Sequence, residues 1–169
     1  MKNRKQRRMR LTEICNLAHA HGVTVVSPST WPSDVLGEAT VGVYSDHVTP
    51  LSRSLLRSGR RAQIVPLIVM RRRTPDFETP YSLEHTLAHE LGHHIARWSD
   101  HFDERMGKTT VTPILDRLAL NHGFDLHLVE NRRELRAECL ARRILGETLP
   151  PTLRRFSERA WRELQRRTA

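Results

Sequence analysis

His89-Glu90-Leu91-Gly92-His93 is the string in this 169-residue chain whose residue types and spacing could do chemistry. Two histidines four apart on a helix project from one face about a turn apart, so both imidazoles can reach one zinc ion. Glu90 sits about 100° further round the helix axis, within reach of water at the metal rather than of the metal itself. Zinc brings the pKa of such water toward neutrality, and an adjacent carboxylate can take its proton as it attacks a carbonyl. The chain's own His and Glu frequencies give roughly 0.04 accidental matches to the pattern. Gly92 costs about 1 kcal/mol against Ala in a helix interior, which makes sense where something approaches closely.

A catalytic zinc takes three protein ligands and keeps a fourth position open. A third histidine in the extended pattern would fall on Ser99, with Ala96 where glycine is needed, and His101 is two residues out of register. The alternative is a glutamate from a downstream helix. Glu134-Leu135-Arg136-Ala137-Glu138 offers two carboxylates four apart, beginning 41 residues beyond His93. Glu134 is the expected ligand and Glu138 the carboxylate that orients a ligand imidazole, with the reverse assignment open. Two ordinary roles compete: Glu134 could close a capping box with Asn131, and Glu138 could form a surface ion pair with Arg142. His85 reads as a neighbour of the site and His94 as off its face. Tyr81, His101, His122 and His127 are equal candidates for an oxyanion donor. Cys139 reads as a small core residue.

The elements that must position these groups follow from periodicity and breakers. A helix is expected from about Met9 to His21 with Gly22 as its stop, then a strand over Val23 to Val26. A weak strand follows over Ala39 to Tyr44, and a polar loop with one helical turn over Ser45 to Arg61. Ile64 to Met70 is the strongest strand, and Pro66 within it points to a sheet edge. Thr79-Pro80 suits the opening of a helix through about Trp98, with Leu83, Leu87, Leu91, Ile95 and Trp98 as its apolar stripe. Residues 99–111 read as a loop. Further helices are expected from Thr112-Pro113 to Asn121, from Asn131 to Leu145, and as a single last amphipathic helix carrying Leu153, Phe156, Ala160, Trp161 and Leu164. A substrate strand added along Ile64 to Met70 would lie beside the zinc helix.

Three blocks together, Ala18-His19-Ala20-His21-Gly22-Val23, Thr86-Leu87-Ala88-His89-Glu90-Leu91-Gly92-His93 and Glu134-Leu135-Arg136-Ala137-Glu138-Cys139-Leu140-Ala141, resemble the ImmA/IrrE family of zinc metallopeptidases. The chain departs from that family's pattern at Glu138, where Asn or Asp is usual, at Arg136, where a second glutamate is usual, and in its closing Ile144-Leu145. It is also similar to the neutral zinc metallopeptidases and to the metallopeptidase domain of antirestriction proteins. The resemblance implies an α+β, zincin-like fold with a small mixed β-sheet packed on the histidine helix. It also implies cleavage or inactivation of a helix-turn-helix repressor in a phage or mobile element.

Length bounds the rest: one domain is expected, with 1–10 as a basic tail, 11–149 as the metallopeptidase domain and 150–169 as a basic amphipathic helix on it. Hydrophobic residues at 38% and charged residues at 28% are ordinary for a globular chain and argue against wholesale disorder. No apolar run approaches the roughly 18 residues of a membrane span, the amino terminus lacks a secretory h-region, and two cysteines make no disulfide framework. A cytoplasmic protein is the expectation. The net charge of +9 favours acidic partners such as nucleic acid, although no helix-turn-helix, stacking aromatics or four-cysteine module accompanies it. Zn2+ is the expected cofactor, Glu90 the catalytic residue, and a protein or peptide the substrate. The rival reading is a non-hydrolytic, metal-stabilised binding module that contacts a repressor or DNA through its basic surface.

Overall fold

The computed structural model describes residues 9–28, 41–46, 66–72, 81–105 and 113–168. Its order is α1 (Leu11–Ala20), β1 (Thr24–Val26), β2 (Gly42–Ser45), β3 (Leu67–Met70), α2 (Leu83–Arg105), α3 (Pro113–Asn121), α4 (Leu126–Glu130), α5 (Arg132–Ile144), α6 (Pro151–Phe156) and α7 (Glu158–Thr168). The expected α+β class with a small mixed sheet is present. The tail 1–8, most of the loop 45–61, Ile64, Thr79, Pro80 and Thr112 lie outside the described residues, as do the side chains of Trp98 and His101.

The sheet corrects one expectation. Its order is β1-β3-β2, so β3 is the central strand rather than an edge. β1 runs parallel to β3 with Val25 opposite Ile68, and β2 runs antiparallel with Val43 opposite Val69. Pro66 precedes the strand, so its missing N–H is no defect, and its carbonyl still accepts from the Thr24 N–H at 3.0 Å. All four β3 residues are buried, which is why an unalternated apolar run occurs there. A peptide therefore cannot add along β3. The strand on the side of the histidine helix is β2.

Helix ends follow local chemistry. Ser82, not Thr79, opens α2: its hydroxyl accepts from the His85 N–H at 3.1 Å and its carbonyl from Thr86 at 3.0 Å. α2 also runs seven residues past Trp98, correcting the loop expected to begin at residue 99. Gly22 and Gly146 stop α1 and α5 with φ of +73° and +80°, where a Cβ would be strained. Asn131 caps α5 through its side-chain oxygen, which accepts from Arg133 and Glu134. The short helix α4 was not expected. The single last helix is in fact two, broken at Ser157. This fully buried hydroxyl bonds the carbonyls of Leu153 and Arg154 at 3.3 Å and accepts from Arg143.

The main core lies between the sheet and the helices. Ile14 and Ala18 of α1, Ile68 and Met70 of β3, Leu87, Leu91 and Ile95 of α2, Leu140 and Ile144 of α5, and Ala160 and Leu164 of α7 form one apolar cluster. A second gathers Leu115, Phe124, Val129, Leu135, Cys139 and Leu153 under the far side of α5. The residues after 150 thus contribute to both clusters and are part of the same packed body. α5 and α2 share the most extensive helix–helix contact. A Cβ on Gly92 would lie 2.6 Å from the Ala137 carbonyl oxygen and 2.9 Å from its Cα, so that glycine lets the two backbones touch. Among the described residues no helix is long and apolar enough to cross a membrane.

Candidate metal centre

The backbone contact at Gly92 sets α5 against the histidine face of α2, and three donor atoms converge there. His89 Nε2 and His93 Nε2 are 3.2 Å apart, His89 Nε2 and Glu134 Oε2 3.1 Å, and His93 Nε2 and Glu134 Oε2 3.3 Å. Ligands about 2.0–2.1 Å from a tetrahedral zinc are separated by about 3.3–3.4 Å, so these atoms outline one face of such a tetrahedron. The three residues could hold a metal ion. The Glu134 side chain is turned to the imidazoles, and only the Asn131 half of the expected capping box forms.

Glu138 lies one turn on and is 1% exposed. Its Oε2 accepts from His85 Nε2 at 2.9 Å and from His89 Nδ1 at 3.2 Å, while Oε1 accepts from Arg142 Nε at 2.8 Å. The His89 Nδ1–H is thereby engaged and its Nε2 is turned toward Glu134 and His93. The Arg142 ion pair exists, but it is no surface pair. Its guanidinium donates to the His122 and Gly123 carbonyls at 2.8 and 2.9 Å and stacks 3.9 Å from the Phe124 ring centroid. Arg142 thus ties the α3–α4 turn to the carboxylate behind His89.

Electrostatics follow this arrangement. Burial opposes charge on His89, but Glu134 and Glu138 outweigh it and raise the imidazole to about 10. The His89 and His93 contacts hold the Glu134 carboxyl far below the ordinary carboxylate range. Burial works against the Glu138 charge too, yet donors from His85, His89 and Arg142 bring it well down.

Glu90 is set apart from the other carboxylates. Its Oε2 accepts from the Tyr44 backbone N–H of β2 at 2.8 Å. Burial raises its pKa, against the pull of His93, His89 and that N–H. The close approach of β2 depends on Gly42, where a Cβ would lie 2.7 Å from Thr86 Cγ2 and 3.2 Å from Glu90 Cγ. An open cleft of about 580 Å³ runs between β2 and the start of α5, with His89, Glu90, His93 and Glu134 on its wall. Comparisons with family models, with curated proteins and with solved structures find no match to this chain.

A smaller cavity of about 150 Å³ adjoins the cleft through His89, Glu90 and Glu134 and is walled by Val41, Tyr81, His127 and Leu128. Of the four oxyanion candidates, Tyr81 and His127 therefore border the site. The Tyr81 hydroxyl donates to Asp125, and that contact, with burial, pushes its pKa up to about 12. His122 is not among the residues lining either cavity. His94 is off the triad face as expected: it is buried, with Nδ1 3.0 Å from the Tyr44 hydroxyl and against Arg97. Sequence reasoning missed the roles of Gly42 and Tyr44. A glycine opening a short strand is the signal of close backbone approach that was available.

Proposed function

We propose that this protein is a zinc-dependent metallo-endopeptidase of zincin-like type, acting on a peptide bond of a protein substrate. One observation carries the reading: three donor atoms spaced for a tetrahedral ion, with the isolated, upward-shifted Glu90 beside them on the wall of an open cleft. Zinc is the ion this donor set suits, and bound by His89, His93 and Glu134 it would polarise a carbonyl and acidify water at the open position.

The chain's own groups supply the rest. Glu90 is the general base that takes the proton of the attacking water and passes it to the leaving amine. The Tyr44 N–H holds one Glu90 oxygen so that the other can face the cleft. Glu138 fixes the His89 ring, and Arg142 fixes Glu138. Among the described residues no strand pairs with the outer edge of β2, so a substrate can lie extended there through backbone groups other than the Tyr44 N–H, which Glu90 occupies. The resemblance to the ImmA/IrrE family makes a helix-turn-helix repressor the substrate to try first, in a cytoplasmic setting.

The test is Glu90→Gln in protein whose zinc content is measured by elemental analysis. Stoichiometric metal with loss of repressor cleavage is expected, and undiminished cleavage would remove Glu90 from the mechanism. Absence of any transition metal from carefully prepared wild-type protein would sink the proposal as a whole.

A further inference from the structure

A second concavity, of about 620 Å³, lies between α2 and the last two helices, and its charge pattern is unlike that of the cleft. Arg155, Arg159, Arg162 and Arg166 line it together with Glu158 and Glu163. We propose that this groove binds the phosphodiester backbone of double-stranded nucleic acid.

Geometry comes first. The four arginines follow one another at steps of four, three and four, which is a single stripe on a helix. All four line the same groove, so the break at Ser157 does not throw Arg155 out of line. The stripe is about 16 Å long at 1.5 Å per residue, and one strand of a duplex carries a charge about every 3.4 Å of axis along it. All four arginines are exposed, with the Arg162 and Arg166 side chains 70% and 77% so. Glu158 is half-buried and turned also to Arg143 at 3.2 Å, and its contact with Arg162 is 3.3 Å. Glu163 stands 3.8 Å from Arg166. Exposed pairs of this kind are worth at most about 1 kcal/mol, and each guanidinium has five donors, so a phosphate can compete for them.

The lining also selects among acidic partners. A protein partner would be anchored by aromatic or aliphatic side chains in a core depleted of charge. Among the described residues that line the groove, Ile95 is the one large apolar side chain and none is an aromatic that could stack unpaired bases. The row of guanidinium groups matches a regular charged backbone whose bases are paired. Ile95 and Ser99 also place the groove on the far side of α2: Ile95 is about 200° round the axis from His93. Occupying the groove therefore leaves the metal-bearing cleft open.

The test uses the full chain and a fluorescein-labelled 20-base-pair duplex, with binding read by anisotropy from 50 to 300 mM KCl. Binding whose log K falls linearly with log salt at a slope between about −2 and −4 is expected for two to four phosphate contacts. Replacing Arg155, Arg159 and Arg162 together by Gln should weaken binding at least tenfold at 100 mM KCl. The same number of charges removed at Arg10, Arg72 and Arg117, all exposed elsewhere, should change it less than threefold. Circular-dichroism melting of both triple variants verifies that they are folded. Equal losses in the two variants would reduce the effect to net charge and overturn the proposal. So would no binding at 50 mM KCl, or polyglutamate competing as well as the duplex.

Discussion

Glu138 shows how far a single carboxylate's role depends on what surrounds it. On a surface its pair with Arg142 would be worth tenths of a kcal/mol. Buried behind His89 it joins α2, α5 and the α3–α4 turn through three donors. Glu138→Gln keeps the shape but loses the anion that engages the His89 Nδ1–H, so zinc affinity should fall about 10–100-fold in chelator competition. An unchanged affinity would show that the His89 ring is held by packing alone. Glu134→Ala should lower affinity more, since it removes a donor rather than an orienting group. Cys139, next in sequence, gives an independent check on burial: its thiol is pushed up to about 12, chiefly by loss of solvent. Iodoacetamide at pH 8 should leave Cys139 unmodified in the native protein and label it in urea. Labelling at the rate of an unstructured peptide would contradict the packing described for α5.

At the scale of elements, two glycines set the distances on which the site depends. Gly92→Ala raises helix propensity by about 1 kcal/mol but puts a methyl group 2.6 Å from the Ala137 carbonyl oxygen. Backbone atoms cannot yield as a flexible side chain can, so the net effect should be destabilisation of about 1–3 kcal/mol in urea unfolding, with weaker zinc binding. Gly42→Ala pushes against Thr86 and Glu90 instead. It should depress cleavage while zinc stays bound, since it touches no ligand. The histidine helix, both downstream carboxylates and the stops at Gly22 and Gly146 were legible in the sequence, because each rests on local spacing or a local backbone requirement. The place of β3 was not. Pro66 next to an apolar run reads alike whether it lies inside an edge strand or just before a central one, and only the pairing decides. The break at Ser157 was equally hidden, since the apolar period passes through it and the Arg143 guanidinium that meets the serine comes from another helix. Gly42 carried a local signal of close approach, but neither it nor Tyr44 could reveal the partner, because the approach joins segments over forty residues apart.

For the whole molecule, the ion would join α2 to α5, while the two apolar clusters are built without it. Removing zinc should therefore lower the melting temperature without unfolding the chain, and metal at 100 times its Kd should add about 2.7 kcal/mol. The metal-free and metal-loaded forms should respond to pH in opposite senses. In the metal-free form the His89 pKa is raised above its unfolded value. That stabilisation is complete below about pH 6.5 and is lost as pH rises through about 10. In the loaded form both imidazoles must be unprotonated, so zinc affinity climbs with pH over the same range and binding expels protons. Calorimetry in buffers of different ionisation enthalpy would detect the expelled protons; a buffer-independent heat would refute this account.

The order of the ligands along the chain has a consequence during synthesis. His89 and His93 leave the ribosome as a pair, whereas Glu134 follows 41 residues later, and the Arg142 clasp that steadies the glutamate behind His89 emerges later still. A nascent chain can hold an ion only by two nitrogens until α5 has been made and has docked. On the proposed peptidase reading, an unfinished polypeptide would lack the third donor and could not yet cut its neighbours.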